Sequence, residues 1–143
     1  MNMTMTRDFQ IIYTENFITT HKKQFIKALY LAFASQNVNY ILDLVEEDVE
    51  WTIIDTCTVK GKKMYAITLQ QMIQVKIKTL HIKNIIVNGP ICAINGVAHS
   101  VDHKNYSFCD IIEFSSIEEN AKIKKITSYS NSLLKEASNS HYH

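Results

Sequence analysis

The sequence has few residues that interrupt or cross-link a chain. Its 143 residues include one proline, three glycines and three cysteines. With so few turn-forming residues no flexible linker divides the chain, and its length fits one compact domain. Cys57, Cys92 and Cys109 are far apart and odd in number, which argues against a disulfide framework or a zinc or redox motif. A reducing, cytoplasmic location is the simplest interpretation.

The chain also lacks an excess of charge of one sign. Lys and Arg total 15 against 14 Asp and Glu, for a formal net charge of +1. We therefore expect neither nucleic acid nor a membrane as a partner. No apolar run is long enough to span a membrane, and the first residues lack the charged head and apolar core of a signal peptide.

Motifs for metals and cofactors are missing as well. No two histidines share ligand spacing on one predicted element, so we predict no metal site. The chain has no glycine-rich phosphate loop, so no cofactor is implied.

The period of the apolar residues changes along the chain. Phe25, Leu29 and Phe33 recur at a spacing of four, which predicts an amphipathic helix of about four to five turns. A second, short helix is predicted around residues 41–45 and ends in the acidic run 46–48. A strand with alternating side chains follows at 51–56, and a third helix follows Gly61.

From about residue 76 the chain has the pattern of strands. Segments 81–87, 91–101, 106–114 and 123–130 predict an antiparallel meander. Helices followed by such a sheet indicate an α+β fold, in which N-terminal helices pack on one face of a strongly curved antiparallel sheet. The expected organisation is a flexible segment at 1–18, one domain at 19–133 and a polar tail at 134–143.

One carboxylate interrupts an otherwise apolar strand face. Alternation places Tyr106, Phe108, Asp110, Ile112 and Phe114 on the same side of their strand. A charge there loses its hydration, so Asp110 must find a partner, line a cavity that water can enter, or keep its proton. Each outcome indicates a pocket with Asp110 as its polar centre.

Two residues are candidates for an acid–base partner of Asp110. Asp55 lies two residues after Ile53, on the same face of the strand. It would act as a base if the end of the strand turned its side chain into the cavity. In the alternative, Asp55 caps the loop that follows. His99 lies inside a long strand and would pair with Asp110 if its face were concave. The expected register instead puts Ile94, Gly96, Ala98 and Ser100 inside, and His99 on the outer side.

Aromatic and hydroxyl side chains complete the predicted pocket. The aromatic residues are core residues in the simplest interpretation, but in a hollow fold the same side chains would line a site for an apolar ligand. The residues predicted to line it are Tyr30, Trp51, Ile53, Tyr65, Tyr106, Phe108, Ile112, Ser128 and Ser130.

Segments 33–51, 59–61 and 122–129 and the motif Phe108-Cys-Asp-Ile-Ile-Glu-Phe114 together form a recognisable series along residues 20–132. This series resembles the nuclear transport factor 2-like superfamily, and within it the SnoaL-like group. It implies a cone-shaped fold that hosts isomerases, cyclases, hydrolases and binding modules.

The resemblance also implies roles for particular positions. Asp110 matches the protonated acid of the ketosteroid isomerases of this fold. The position of their catalytic base falls on Ile53, and that of their helix tyrosine falls on Leu29, next to Tyr30. The arginine and aspartates of the epoxide hydrolases fall near Gly96, Ala98 and Ser128, so that triad is absent. Steroid isomerisation and epoxide hydrolysis are therefore not predicted.

Two functions follow as hypotheses. The first is proton-transfer catalysis, as in an isomerase or cyclase, on a small polyketide-like or terpenoid-like molecule, with Asp110, Asp55 and His99 as candidate catalytic residues. The second is a non-catalytic ligand-binding or protein-interaction module. The resemblance further implies a homodimer through the outer sheet face, where Ile91, Ala93, Val97, Val101, Ile111 and Ile123 are expected.

Overall fold

A computed structural model describes residues 2–5, 9–13 and 20–131 of the chain. Three helices are present in this part: α1 spans His21–Ala34, α2 spans Val38–Asp43 and α3 spans Lys62–Met72. The Thr20 side chain caps α1 by accepting a hydrogen bond from the Lys23 amide at 3.2 Å. The predicted C-terminal tail, 134–143, lies outside the described residues.

Eight strands form one sheet in the order β1-β2-β5-β6-β7-β8-β3-β4. All neighbours pair antiparallel except β2 with β5 and β3 with β8. The predicted α+β fold and the meander of its last four strands are therefore confirmed. The bounds are β1 Asn2–Met5, β2 Gln10–Tyr13, β3 Val45–Ile53, β4 Cys57–Lys60, β5 Ile77–Asn88, β6 Ile91–Ser100, β7 Asn105–Phe114 and β8 Ile123–Ser130.

The N-terminal region differs from the expectation of a flexible segment at 1–18. Within it, β1 and β2 form a hairpin, and β2 pairs with β5. Ile11 is fully buried, and Phe9 and Tyr13 are buried beside it. Alternating apolar residues in a short stretch are enough for a strand when an existing sheet edge supplies the hydrogen bonds.

The acidic run at 46–48 lies in a strand and does not end a helix. Helix α2 stops at Asp43, and β3 begins at Val45, so Glu46, Glu47 and Asp48 belong to β3. Val45 and Val49 on the same strand are fully buried, whereas Glu47 and Asp48 are exposed. Burial of the two valines against the helices outweighs the helical tendency of the glutamates.

A glycine and a bulge lie side by side where the sheet bends. Gly96 pairs with Ile82 on β5, and the register of that strand shifts between Ile82 and Asn84. A Cβ atom on Gly96 would lie 2.1 Å from the His81 carbonyl oxygen and 3.0 Å from the Phe108 ring. Glycine kinks and bulges are the features that curve a sheet, so this pair shapes the concave face.

The helices cover the concave face, and the outer face is open in this chain. Tyr106, Ile112 and Phe114 of β7 point inward and are buried, as the alternation predicted. Ile86, Ile91 and Tyr129 are exposed large apolar residues in the strands of the outer face, at 63%, 45% and 46%.

The predicted outer position of Ile123 is wrong. A register shift between Glu113 and Phe114 places Ile123 opposite Phe114, and Ile123 is fully buried. The prediction assumed that every second residue of β8 lies on the outer face. An irregularity in the pairing breaks this alternation and moves the side chain of Ile123 to the inner face. In the part of the chain that the structure describes, no helix is long and apolar enough to cross a membrane.

Candidate functional site

A cavity of about 90 Å³ lies between the helices and the concave face of the sheet. Its wall is almost entirely apolar, and Asp110 is the one acidic residue among the described residues that line it. The lining residues are Leu29, Tyr30, Phe33, Ile41, Trp51, Tyr65, Leu69, Met72, Leu80, Ala98, Phe108, Asp110, Ile112, Ile126, Ser128 and Ser130.

Asp110 is held by hydrogen bonds from two elements. The Tyr30 hydroxyl, on α1, donates a short hydrogen bond to Oδ2 of Asp110. Ser128, directly opposite on β8, also hydrogen-bonds to the carboxyl. The indole Nε1–H of Trp51 donates to Oγ of Ser128 at 2.9 Å. Trp51, Ser128, Asp110 and Tyr30 therefore form one continuous polar chain across an apolar cavity.

Burial makes the ionised form of Asp110 costly. It raises the pKa of Asp110 from its ordinary value of 3.8 to about 6, although the hydrogen bonds from Tyr30 and Ser128 act in the opposite direction. Burial, reinforced by the nearby Asp110 carboxyl, also raises the pKa of the Tyr30 and Tyr65 hydroxyls. Both tyrosines therefore remain protonated hydrogen-bond donors near neutral pH.

Aromatic rings form two opposed parts of the cavity wall. Tyr30 stacks on Phe108, with ring centroids 5.7 Å apart and planes 17° apart. The rings of Trp51 and Tyr65 pack against each other with their centroids 5.1 Å apart. Such rings offer flat, rigid surfaces to an apolar or aromatic ligand.

Most of the residues predicted to line a pocket do line this cavity, but two do not. Ile53 and Tyr106 are absent from the cavity wall and lie in the core, with 4% and 1% of their surface exposed. Both have the correct strand phase for the concave face. Ile53 lies opposite Ser128 and Tyr106 lies opposite Ala98, and both of these neighbours line the cavity. Alternation therefore gives the correct face of each strand but not which side chains border the gap.

Neither predicted partner of Asp110 reaches the cavity. Asp55 lies in the turn after β3 with a φ of 65°, so the strand has ended before it and its side chain is exposed. His99 pairs with Thr79 and Asn105 on the outer face, where its Nδ1 hydrogen-bonds to the Asn105 side chain. The expected register of β6 was correct, and it excludes His99 from the cavity.

Several lining residues were not predicted from the sequence. Leu29 and Phe33 follow the one-turn spacing of α1, and Leu69 and Met72 lie one turn apart on α3. That spacing could have indicated which helix faces meet the sheet. It could not have shown where the packing leaves a gap. Among the described residues, no group of three or more His, Cys, Asp or Glu side chains could hold a metal ion.

The architecture defines a class: a cone of helices on a curved sheet, with one buried carboxyl in an apolar hollow. No known protein-family model matches the sequence, and a comparison with curated proteins found no significant match. Many solved structures do match the fold.

Three of these structures illustrate the likeness. A nuclear transport factor 2-like protein of unknown function from Cytophaga hutchinsonii is 26% identical, with 73% of this chain and 95% of that chain covered and a TM-score of 0.56. A steroid delta-isomerase from Pseudomonas aeruginosa is 11% identical, with 87% and 93% covered and a TM-score of 0.66. A de novo designed protein with a curved β-sheet is 12% identical, with 85% and 94% covered and a TM-score of 0.69.

The chain thus has the nuclear transport factor 2-like fold, as its segments predicted. A designed protein and an isomerase share this architecture with it, so the fold alone does not select an activity. Any assignment of function has to come from the cavity.

Proposed function

We propose that the cavity binds a small, largely apolar molecule with a keto or hydroxyl group and that Asp110 exchanges a proton with it. The observation that carries the proposal is Asp110, the one acidic residue among the described residues that line the cavity, whose removal from bulk water into an apolar and aromatic wall raises its pKa to about 6. At neutral pH this carboxyl is mostly ionised, and it is a stronger base than an aspartate in water.

One acid–base group is sufficient for an isomerisation. The Asp110 carboxylate takes a proton from a carbon next to the ligand carbonyl, and the electron pair moves onto the carbonyl oxygen as an enolate. The same carboxyl then returns the proton to another carbon of the conjugated system, so no atom is gained or lost. In this proposal the protonated hydroxyl of Tyr65, which lines the same cavity, donates a hydrogen bond to the enolate oxygen, because the Tyr30 hydroxyl already donates its proton to Asp110. In a cyclase, the enolate carbon would instead attack a second carbonyl group.

The likeness to a steroid delta-isomerase is consistent with this chemistry but does not extend to its substrate. The cavity is small, and the described part of its wall holds no second acidic residue beside Asp110. Small polyketide-like or terpenoid-like ketones match the size and polarity of this cavity. The resemblance of the sequence to the SnoaL-like group supports the same choice of ligand.

A non-catalytic binding function is the second candidate. The observation that favours it is that Tyr30 and Ser128 already hydrogen-bond to the Asp110 carboxyl. These two hydrogen bonds hold the carboxyl in place, and its remaining acceptor positions can bind a ligand hydroxyl without any proton transfer from carbon.

Deuterium exchange distinguishes the two candidates. Small ketones such as 4-methylacetophenone are incubated with the protein in D₂O, and NMR follows the loss of protons next to the carbonyl and, separately, binding. If the wild type accelerates deuterium exchange next to the carbonyl and Asp110→Asn does not, the result supports proton transfer by Asp110. The matched control is Asp48→Asn, because Asp48 is an exposed aspartate on β3. Binding without accelerated exchange would leave a binding module, and absence of binding across the ketones would contradict both candidates.

We also propose that two copies of the chain pair through the outer sheet face. The face carries exposed Ile86, Ile91 and Tyr129 around half-buried Ala93 and Ile111. Ile86, Ala93 and Ile111 lie opposite one another on adjacent strands, so they form one apolar row. With a net charge of +1, two copies repel each other only weakly.

A further inference from the structure

We infer that the ligand of this cavity carries two polar groups and that Ser130 binds the second one. The inference rests on the proposed function, because it specifies the ligand of the same cavity. It starts from the Ser130 hydroxyl oxygen, which is buried and has no hydrogen-bond partner among the described residues. Buried hydroxyl groups are nearly always hydrogen-bonded, so an unpaired one in a cavity wall is a strong point of attachment for a ligand.

Strand geometry fixes the distance between the two polar points. Ser128 and Ser130 are two residues apart on β8 and line the same cavity. Ser128 lies opposite Asp110, and Ser130 lies opposite Phe108. Two residues along a strand span about 6–7 Å, so the second polar group lies about that far from the group at Asp110.

The side chains around these two polar points indicate the shape of the ligand between its polar groups. Phe108, the neighbour of Ser130 across the sheet, is stacked on Tyr30, the neighbour of Asp110. A ligand that touches both polar points therefore lies along this pair of aromatic rings. A volume of about 90 Å³ favours one ring over a polycyclic skeleton. The ligand class is a single-ring compound with oxygen groups at opposite ends, of the hydroxyphenyl ketone type.

Three small molecules test this inference. 4-Hydroxyacetophenone carries both groups. 4-Methylacetophenone keeps only the ketone, and 4-isopropylphenol keeps only the hydroxyl, with nearly the same shape. Dissociation constants are measured by calorimetry for the wild type, for Ser130→Ala and for Ser107→Ala, which removes an exposed hydroxyl from the outer face of β7.

The expected result is that the compound with two groups binds the wild type about tenfold more tightly than either compound with one, as one extra hydrogen bond provides. Ser130→Ala should remove this advantage and leave the one-group compounds within about twofold. The result does not depend on which group faces Asp110.

Two results would overturn the inference, and they differ. If the one-group compounds bind but the second group adds nothing, or its advantage survives in Ser130→Ala, the inference fails and the proposed function stands. If none of the three compounds binds the wild type, the proposed ligand class fails and the inference fails with it. Ser107→Ala is expected to match the wild type throughout.

Discussion

Asp110 lowers the stability of the folded chain at its position, and a residue that does so is a candidate for a functional role. A carboxyl that is buried with its pKa raised to about 6 destabilises the folded chain whenever it is ionised. An apolar residue would fill the same space without this cost. Residues that lower stability in this way are common where a site needs a reactive group.

The first prediction concerns the pH dependence of stability. The unfolded pKa of Asp110 is near 3.8 and its folded pKa is about 6, so the folded state holds the proton more tightly. The contribution of Asp110 to the free energy of unfolding is therefore most favourable below about pH 4 and declines by about 3 kcal/mol as the pH rises through 6. Asp110→Asn removes this decline.

We expect Asp110→Asn to be more stable than the wild type by about 2 kcal/mol at pH 7.5 and nearly equal to it at pH 4, because Asn keeps the shape but not the charge. Urea unfolding at both pH values measures the difference. Asp48→Asn, on the exposed part of β3, should show no such pH-dependent gain. A large loss of stability in Asp110→Asn at pH 7.5 would instead make Asp110 a structural residue.

The second prediction concerns Tyr30. Its hydroxyl donates a hydrogen bond to Asp110 and thereby lowers the pKa of that carboxyl. Tyr30→Phe should raise the pKa of Asp110 above about 6 and reduce stability at pH 8 by roughly 2 kcal/mol, since a hydrogen bond to an ionised group is lost. A ¹³C NMR titration of the carboxyl measures the pKa.

Tyr65→Phe is the matched control for Tyr30→Phe. Tyr65 lines the same cavity and is buried like Tyr30, but the hydrogen bonds that lower the pKa of Asp110 come from Tyr30 and Ser128. Its removal should move the Asp110 pKa less than removal of Tyr30 does. Equal shifts in the two variants would show that the Tyr30 hydrogen bond does not control this carboxyl.

At the scale of elements, Gly96 connects the sequence to the shape of the cavity. Its missing side chain lets β5 bend toward β6 beside the register shift, and it leaves room for the Phe108 ring. Phe108 in turn carries the stacked Tyr30 ring. The aromatic wall of the cavity therefore depends on this one backbone position.

The third prediction follows from that contact. Gly96→Ala brings a Cβ atom to within 2.1 Å of a backbone oxygen that can move only if β5 moves. We expect a loss of at least about 3 kcal/mol in the free energy of unfolding and loss of ligand binding, as in other overpacked sites. Urea unfolding measures the first effect and calorimetry the second.

Gly89→Ala provides the comparison. Gly89 lies in the β5–β6 turn with a φ of 60°, and a Cβ there meets no atom within 4 Å. The variant should therefore cost only the backbone strain of about 1–2 kcal/mol and keep its ligand affinity. A Gly96→Ala protein as stable as Gly89→Ala would show that the close approach to His81 relaxes easily.

Most elements were predictable from the sequence because their periodicity is strong. The alternation on β7 placed Asp110 on the concave face, and the expected register of β6 placed His99 on the outer one. The errors have a common cause, since they lie where a neighbour or a bulge decides the outcome. Strand β2 needs the edge of β5, the acidic run 46–48 belongs to a strand because Val45 and Val49 are buried on either side of it, and Ile123 depends on the shift in register before it.

At the scale of the whole molecule, the sequence was sufficient for the fold and only partly for the site. The residues that line the cavity come from three helices and five strands, so their meeting is a consequence of topology and packing. Sequence patterns identify the inward faces, but the space left between them depends on the volumes of all inward side chains together. For that reason the hydrogen bond from Tyr30 and the unpaired hydroxyl of Ser130 became visible only in the structure.

The last prediction tests the proposed homodimer. If two outer sheet faces pack against each other around a twofold axis, a charge introduced on that face would be buried twice in each dimer and would prevent association. Ile91→Glu should therefore convert a dimer to a monomer in analytical ultracentrifugation, with little change in the helix content of the chain. Ile67→Glu is the matched control, because Ile67 is an equally exposed isoleucine on α3, one of the helices that cover the opposite, concave face of the sheet. A wild type that sediments as a monomer at high concentration, or an Ile91→Glu protein that remains dimeric, would contradict association through this face.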